Sequence, residues 1–241
     1  MLAVEGLSKR FGGFLAVNQI SFEVRQGEIL GLIGPNGSGK STTFNLIAGT
    51  LRPSSGSIRF DGEDITSLPA HTICRLGVAR TFQIPRPFRK LSLLENVTIA
   101  AHYGEASGIT RGEAHDRAVE ALGLVGLPTD AAATTSGLGA AALKKLELAR
   151  ALATKPRLLL ADESLGGLDS AEMERAADLL ESIRSRMGVT IVWVEHIMGV
   201  LMRIVDRVIV LDHGEKIFEG APAQAAVDPR VTEVYLGKAR T

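Results

Sequence analysis

A glycine-rich loop between a short apolar strand and a helix is the feature that most constrains how this chain folds. Residues 28–33 (EILGLI) are apolar enough for a strand that is buried on both faces. The loop that follows, residues 34–42, reads GPNGSGKST and fits the pattern G-x-x-x-x-G-K-[ST]. Helical spacing then continues through Phe44 and Ile47 to Gly49. This strand–loop–helix unit predicts an α/β fold that binds a phosphate group.

The residue types in this loop suit a phosphate for separate physical reasons. Glycines let the backbone curl so that several N–H groups point at one phosphate, and the next helix adds the positive end of its dipole. Lys40 can reach the terminal phosphates of a nucleotide, and Ser41 can ligate Mg²⁺. The predicted nucleotide-binding residues of the loop are Gly34, Pro35, Asn36, Gly37, Ser38, Gly39, Lys40, Ser41 and Thr42.

An acidic pair ends a second apolar strand. Residues 157–162 (RLLLAD) predict a buried strand, with Asp162 at its carboxyl end and Glu163 directly after it. A carboxylate in this position can hold a divalent metal ion, and a second one can polarise an attacking water molecule. Because a phosphate loop precedes the pair, we expect Asp162 to be a metal ligand and Glu163 to be catalytic.

Strand and helix patterns alternate along the rest of the chain. They predict an α/β core with a mainly parallel sheet and an antiparallel β edge, into which a helical subdomain is inserted. Strand patterns lie at 20–25, 56–62 and 190–195, a hairpin pattern at 207–220, and helical spacing at 114–125 and 173–187. We expect one domain with a core at 1–84 and 156–220, a helical subdomain at about 85–155 and a tail at 221–241 that forms a short helix.

Composition excludes several classes of function. The 241 residues include 27 Lys and Arg and 27 Asp and Glu, and this zero net charge gives no support to nucleic-acid binding. The single cysteine, Cys74, excludes an intrachain disulfide and a cysteine-built metal site. No apolar run approaches the roughly 20 residues that a membrane-spanning helix needs.

The motifs, taken in order, resemble the ATP-binding subunits of ABC transporters over the whole chain. The resemblance implies a P-loop ATPase core of the ABC type, with ATP and Mg²⁺ as cofactors and ATP hydrolysis as the activity. It implies that Phe11 stacks on adenine, that Gln83 senses the metal and the attacking water, and that His196 contacts the γ-phosphate. The catalytic residues implied are Glu163, His196 and Gln83, and those implied for the metal are Ser41, Gln83 and Asp162.

Five further segments resemble the ATPase subunits of branched-chain amino-acid importers. They are ARTFQ at 79–83, PFRKLSLLENV at 87–97, EHIM at 195–198, LDHGEKIFEG at 211–220 and VYLG at 234–237. The ATPase of the lipopolysaccharide exporter shares the tail pattern and is the nearest rival. The resemblance implies a second ABC ATPase subunit, in a homodimer or heterodimer, and membrane permease subunits, one of which docks near Gln83 and residues 84–91. It also implies indirect contact with a solute-binding protein, no nucleic-acid partner, and a peripheral place at the cytoplasmic face of the membrane.

The signature segment is where the chain departs from this family. The family carries LSGGQ or LSYGEQ directly before a helix like residues 144–152, whereas this chain has LGAAAL at 138–143. In that register Gly139 stands in place of the serine and Ala141 in place of the glycine. The segment SGLG at 136–139 looks more like a signature, but it lies three residues too early and would add nearly a turn to the helix.

The altered signature affects the partner's nucleotide, because in this family two subunits sandwich ATP and the signature of one faces the phosphate loop of the other. We therefore expect a complete phosphate loop but a weak signature, and hence an asymmetric or impaired composite site. An ATP-binding regulatory half of a heterodimer is one alternative. A non-transport ABC ATPase acting on DNA or ribosomes is another, although such proteins generally carry coiled-coil arms or tandem cassettes. The transported solute rests on the resemblance alone.

Overall fold

The computed structural model describes residues 1–105, 108–162, 169–195 and 198–236, and it contains the strands and helices that follow in chain order. The strands are β1 (Leu2–Phe11), β2 (Phe14–Val24), β3 (Ile29–Ile33), β4 (Ser55–Phe60), β5 (Glu63–Asp64), β6 (Val78–Arg80), β7 (Leu158–Asp162), β8 (Thr190–Val194), β9 (Arg207–Asp212) and β10 (Glu215–Gly220). The helices are α1 (Lys40–Ile47), α2 (Ala70–Arg75), α3 (Leu93–Gly104), α4 (Arg111–Leu124), α5 (Ala140–Ala153), α6 (Ser170–Met187), α7 (Met198–Ile204), α8 (Pro222–Ala225) and α9 (Pro229–Leu236). None of the described helices is both long enough and apolar enough to cross a membrane.

Two sheets form the first of two compact units, which comprises Met1–Ala70 and Thr190–Thr241. One sheet is antiparallel and has the strand order β2–β1–β4–β5. In the other, β3 lies parallel to both β8 and β9, and β10 pairs antiparallel with β9. The predicted combination of parallel strands with antiparallel β structure is confirmed.

Burial in this unit follows the patterns in the sequence. Every residue of β3 is buried, as the apolar run at 28–33 predicts. In β2 the alternation places Ile20, Phe22 and Val24 in the core, and in β4 it does the same for Ile58 and Phe60. The hairpin of β9 and β10 turns at residues 212–214, as predicted.

The second compact unit, His71–Val189, combines the parallel pair β6 and β7 with four longer helices. Alanines on α4 let it approach α3 and α5 closely, and these three helices share one apolar cluster. The members of the helical pattern at 114–125 are all buried: Ala114, Ala118, Ala121, Leu122 and Val125. Capping boxes at Ser92, Thr110 and Asp169 fix the starts of α3, α4 and α6.

The tail differs from the single short helix that we expect from the sequence. It forms two helices, because Pro229 cannot donate the hydrogen bond that would continue α8. The Asp228 side chain accepts a hydrogen bond from the Arg230 backbone N–H and so supports the new start at α9. The short elements β5, β6, α2 and α7 are not predicted either, since each is too brief to show a clear period.

A buried asparagine fixes the turn that enters α3. Asn96 is fully buried, and its Oδ1 accepts a hydrogen bond of 2.7 Å from the Phe88 N–H. Its Nδ2 donates to the carbonyl oxygens of Ser92 at 2.8 Å and Phe88 at 3.1 Å. This one side chain therefore holds residues 88–92 against the first turn of the helix.

Replacing Asn96 with alanine is expected to lower the free energy of unfolding by about 2–4 kcal/mol, because buried backbone groups lose their partners. Urea denaturation measures the change. The matched control is Asn18→Ala, which removes a surface hydrogen bond of 2.7 Å to Glu215 and should cost no more than about 1 kcal/mol. Equal losses in the two variants would contradict the role assigned to Asn96.

Candidate functional site

The predicted phosphate loop turns between β3 and α1. Gly34 has a φ of 147° and Gly39, which precedes the first residue of α1, has a φ of 104°. A Cβ at Gly34 would lie 2.1 Å from the Leu211 carbonyl oxygen, and one at Gly39 would lie 2.7 Å from that of Ala16. Glycine is required at both positions because any side chain would collide with neighbouring backbone.

The Lys40 side chain is buried inside this loop. Its ammonium group donates hydrogen bonds to the Gly34 carbonyl at 2.8 Å and to the Pro35 carbonyl at 2.9 Å. The Ser38 hydroxyl is buried too, and it has no hydrogen-bond partner within the described part of the chain. A buried polar group without a partner costs about 1–3 kcal/mol. A cation and an unpartnered hydroxyl are the groups that an oxygen-rich anion satisfies, so the loop fits a phosphate group.

The other loop residues surround this centre. Ser41 is exposed on the first turn of α1, and Thr42 beside it is half-buried. Asn36 and Gly37 are exposed at the tip of the loop. The structure therefore brings all nine predicted loop residues onto one turn and the start of one helix, where backbone N–H groups are available to an anion.

Phe11 lies at the end of β1 with 46% of its surface exposed, and the Lys9 ammonium is 5.2 Å from its ring centre. Such exposure fits an aromatic side chain that receives a ligand better than one that fills the core.

Hydrogen bonds connect β2 to the phosphate loop through Gly214, which lies in the β9–β10 turn. Gly214 accepts a hydrogen bond from the Asn18 N–H and donates one to the Ser38 carbonyl.

Helix α9 lies beside the phosphate loop and lines a cavity there. The sequence does not predict this placement of the helix. A cavity of about 580 Å³ lies between loop residues 35–38, the β9–β10 turn and residues 230–234 of α9. Burial raises the pKa of Tyr235 to about 12, although the neighbouring Gly34 backbone acts in the opposite direction. The Tyr235 side chain therefore packs against the first residue of the loop.

In the second unit, Asp162 ends β7 and is buried. Its Oδ2 accepts a hydrogen bond of 2.6 Å from the Arg80 guanidinium, and its backbone N–H donates to the Thr81 hydroxyl at 3.1 Å. Its Oδ1 is buried and, among the described residues, has no hydrogen-bond partner. Arg80 is not among the residues that the sequence predicts for the site, although ARTFQ places it three residues before Gln83.

The oxygen donors of Asp162 and Ser41 fit Mg²⁺ only together with a nucleotide. Across residues 1–105, 108–162, 169–195 and 198–236, no three His, Cys, Asp or Glu side chains cluster to hold a metal ion. Mg²⁺ commonly binds one or two protein oxygens and completes its octahedron with water and phosphate oxygens. The free Oδ1 of Asp162 and the exposed Ser41 hydroxyl are donors of the kind that such an ion uses.

Gln83 lies on an exposed segment, residues 82–88, that follows β6. The Phe82 ring on this segment is approached by two guanidinium groups, Arg80 at 5.3 Å and Arg86 at 5.5 Å from the ring centre. Cation–π contacts of this kind restrain an otherwise irregular segment. The segment is thereby connected to Asp162 through Arg80.

Helix α5 holds the far end of the same segment. The buried carboxylate of Glu147 accepts a hydrogen bond of 3.0 Å from the Arg86 N–H and one of 2.9 Å from Arg150. Arg150 also donates to the Arg86 carbonyl at 2.8 Å and lies over the Phe88 ring. A continuous set of polar and cation–π contacts therefore runs from β7 to α5, the helix that begins within the signature segment.

Two predicted catalytic residues, Glu163 and His196, lie outside the described residues. The strand before His196 is nonetheless informative. Since β8 runs parallel to β3, its carboxyl end lies at the edge of the sheet where the phosphate loop begins. Glu195, the residue directly after β8, is fully buried there.

The signature segment has a clear helix start. Helix α5 begins at Ala140, and Gly139 is its N-cap with φ −70° and ψ 171°. These angles are the ones that a capping serine adopts, but glycine offers no side chain to accept the hydrogen bond. Ser136 and Gly137 lie in a turn before the helix. The helix start thus agrees with the register that places Gly139 in the position of the signature serine.

Comparison with known proteins identifies the family. A family model described as ABC transporter matches residues 17–166. The high-affinity branched-chain amino acid transport ATP-binding protein LivG of Salmonella typhimurium is 38% identical, over 99% of this chain and 98% of its own. This chain belongs to the ABC transporter family. The lipopolysaccharide export system ATP-binding protein LptB of Acidithiobacillus ferridurans is also similar, at 33% identity over 98% of this chain and 97% of its own.

Solved structures confirm the ABC nucleotide-binding fold. The ADP conformation of MJ1267, an ATP-binding cassette of an ABC transporter, superposes with a TM-score of 0.87 at 28% identity, covering 99% of each chain. The dimeric post-hydrolysis state of the cassette MJ0796, bound to ADP and Pi, gives 0.82 at 27% identity over 92% of this chain and 99% of that one. The chain is an ABC ATPase subunit, homologous to the ATPases of branched-chain amino-acid importers.

Gly34→Ala is expected to destabilise the chain by about 3 kcal/mol, because the new Cβ would overlap the Leu211 carbonyl. Gly37 has a φ of 81° but open space around it, so Gly37→Ala is the matched control. It should cost about 1–2 kcal/mol, for the left-handed backbone alone. Urea unfolding of both variants measures the difference. A Gly34→Ala variant as stable as the Gly37→Ala variant would show that the loop does not pack as described.

Proposed function

We propose that this chain binds ATP with Mg²⁺ and hydrolyses it to power the import of branched-chain amino acids or similar small solutes. The observation that carries the proposal is the buried Lys40 ammonium inside the phosphate loop, next to the unpartnered Ser38 hydroxyl. The name of the LivG relative supports the class of solute. No residue of this chain is assigned to the solute itself, which we place on the permease and a separate binding protein.

Each motif receives one role in the proposed reaction. Lys40 stabilises negative charge on the terminal phosphate oxygens. Bound Mg²⁺ would supply further positive charge there, held by Ser41 and Asp162 and sensed by Gln83. Glu163 polarises the attacking water, and His196 contacts the γ-phosphate. Phe11 stacks on the adenine ring.

We propose that two ATPase subunits close on the nucleotide, as the dimeric MJ0796 structure illustrates for a related cassette. In such a pair Gly139 and Ala141 of this chain face the partner's nucleotide. The missing serine hydroxyl removes one hydrogen bond to a charged phosphate, which weakens the closed pair about ten- to a hundredfold. An ATPase partner with an intact signature restores one strong composite site.

The segment at 82–88 is the surface that we assign to the membrane permease. It exposes three large apolar side chains, of which Ile84 is 74% exposed, and Phe82 and Phe88 are the others. A cavity of about 410 Å³ opens beside Phe82, between α5 and α6 of the same unit. Exposed apolar groups beside a cavity are typical of a protein-binding surface. Docking there places the chain peripherally at the cytoplasmic face of the membrane.

A regulatory subunit is the second candidate function, and the capping glycine Gly139 favours it. In that case this chain binds ATP and its partner performs the useful hydrolysis. Glu163→Gln in the assembled transporter separates the two functions. A large loss of hydrolysis and transport supports the catalytic function, and unchanged activity supports the regulatory one. Lipopolysaccharide export is less well supported, because ARTFQ at 79–83 favours the importer.

Light scattering on Glu163→Gln, which is meant to trap bound ATP, tests the proposed weakness of the signature. We expect its mass to stay at 25.6 kDa when ATP is added. Adding Gly139→Ser and Ala141→Gly should produce ATP-dependent doubling. The serine fits, because a Cβ at Gly139 meets no atom within 4 Å.

Lys40→Ala in the repaired background is the control, since it should abolish both ATP binding and doubling. Doubling without the repair would contradict the weak-signature proposal. A repaired variant that binds ATP but stays monomeric would contradict the assignment of residues 138–143 as the signature.

A further inference from the structure

Among the described residues of the second unit, Arg80 and Asp162 form the shortest ion pair. The two side chains are 11% and 4% exposed, and Nη2 and Oδ2 are 2.6 Å apart. The partners come from neighbouring strands, since β6 and β7 pair in parallel with Arg80 opposite Leu160. Burying a carboxylate alone is costly, so the guanidinium of Arg80 offsets the cost of burying Asp162.

We propose that Arg80 is a resident counter-ion of Asp162 that positions this carboxylate and competes with the divalent metal ion for it. The inference rests on the proposed function, because it takes Asp162 as the metal ligand. Arg80 acts through Asp162 and is a positioning residue. It is neither a metal ligand nor a group that touches the reacting atoms.

The geometry explains how Arg80 can both position the Asp162 carboxylate and compete with a metal ion for it. Arg80 holds Oδ2, so the carboxylate cannot rotate freely, while Oδ1 remains buried without a hydrogen-bond partner among the described residues. The free oxygen is therefore presented in a fixed direction. A divalent ion on Oδ1 shares the carboxylate with a guanidinium, and the two positive charges repel each other strongly in a buried environment. The resident cation thus lowers the affinity of Asp162 for the metal.

The Arg80 guanidinium has a second contact, with the Phe82 ring, besides its pair with Asp162. It lies 5.3 Å from the centre of the Phe82 ring, which also contacts Arg86. If the pair with Asp162 weakened, this cation–π contact would still hold the guanidinium. The Arg86 N–H is hydrogen-bonded to Glu147 on α5. A metal ion at Asp162 would therefore alter contacts along residues 82–88, through Arg80 and Phe82.

The test compares the Mg²⁺ dependence of ADP binding in three variants. The probe is the rise in unfolding temperature at fixed ADP as MgCl₂ is titrated, which needs no hydrolysis. Arg80→Met should lower the Mg²⁺ concentration for half-maximal stabilisation about tenfold or more, in keeping with the loss of a charged competitor. Arg80→Lys keeps the charge and should stay close to the wild type.

Arg207→Met is the matched control. Arg207 pairs with Glu28 at 2.9 Å with 14% and 8% exposure and also pairs with Glu219, so its loss removes charge pairs of similar burial elsewhere. Both Met variants should unfold at lower temperature without nucleotide, but only Arg80→Met should shift the Mg²⁺ titration. If Arg80→Met fails to fold, Arg80→Gln is titrated instead, with the same direction of shift expected.

An unchanged or higher Mg²⁺ requirement in folded Arg80→Met or Arg80→Gln would overturn the inference, because the arginine would then not compete with the metal ion for Asp162. An Arg207→Met titration that shifts equally would overturn it as well. Failure of the proposed function gives a different result. In that case wild-type protein would gain no stability from ADP with Mg²⁺ that Lys40→Ala lacks.

Discussion

Two backbone carbonyl groups shape the site on which the rest of the first unit depends. The carbonyls of Leu211 and Ala16 lie so close to Gly34 and Gly39 that neither glycine can carry a side chain. The loop is thereby pressed against β9 and β2, and Gly214 ties it to the β9–β10 turn. This packing gives the loop its shape in the absence of ligand, so ordering it on binding costs little conformational entropy.

In the second unit the irregular segments are held by buried side chains of opposite charge that pair with each other. Asp162 is held by Arg80, and Glu147 is held by Arg150 and by the Arg86 backbone. Truncating one member of such a pair leaves the other as a buried charge without a partner, which is costly. These contacts therefore hold irregular segments that apolar packing alone would not fix. The exposed apolar segment at 82–88 is positioned in this way at both ends. Such a held apolar surface is consistent with the docking site that we propose for the membrane permease.

The sequence predicts the elements of this site better than the contacts between them. The loop at 34–42, the buried strands around it and the position of Asp162 follow from period and motif, since both are local properties. The start of α5 is less well predicted, because the sequence places a helix at 144–152, whereas α5 begins at Ala140 with Gly139 as its N-cap. Arg80 is different, because its pairing depends on the register between β6 and β7, which a period of two residues does not specify.

Helix α9 shows the same limit at longer range. Its residues are amphipathic, but nothing local states that Tyr235 packs against Gly34, about 200 residues earlier in the chain. The split of the tail at Pro229 is local and could be predicted, whereas its docking beside the phosphate loop could not. Tertiary contacts of this kind determine which predicted site residues come together.

Calorimetric titration of ADP into the intact chain tests the central claim most directly, namely that the preformed loop with its buried Lys40 is a nucleotide site. We expect one saturable site for the wild type. We expect Lys40→Met, which keeps the bulk of the side chain but removes its charge, to bind ADP about ten- to a hundredfold more weakly. Equal affinity in the two proteins, or no saturable binding by the wild type, would contradict the account.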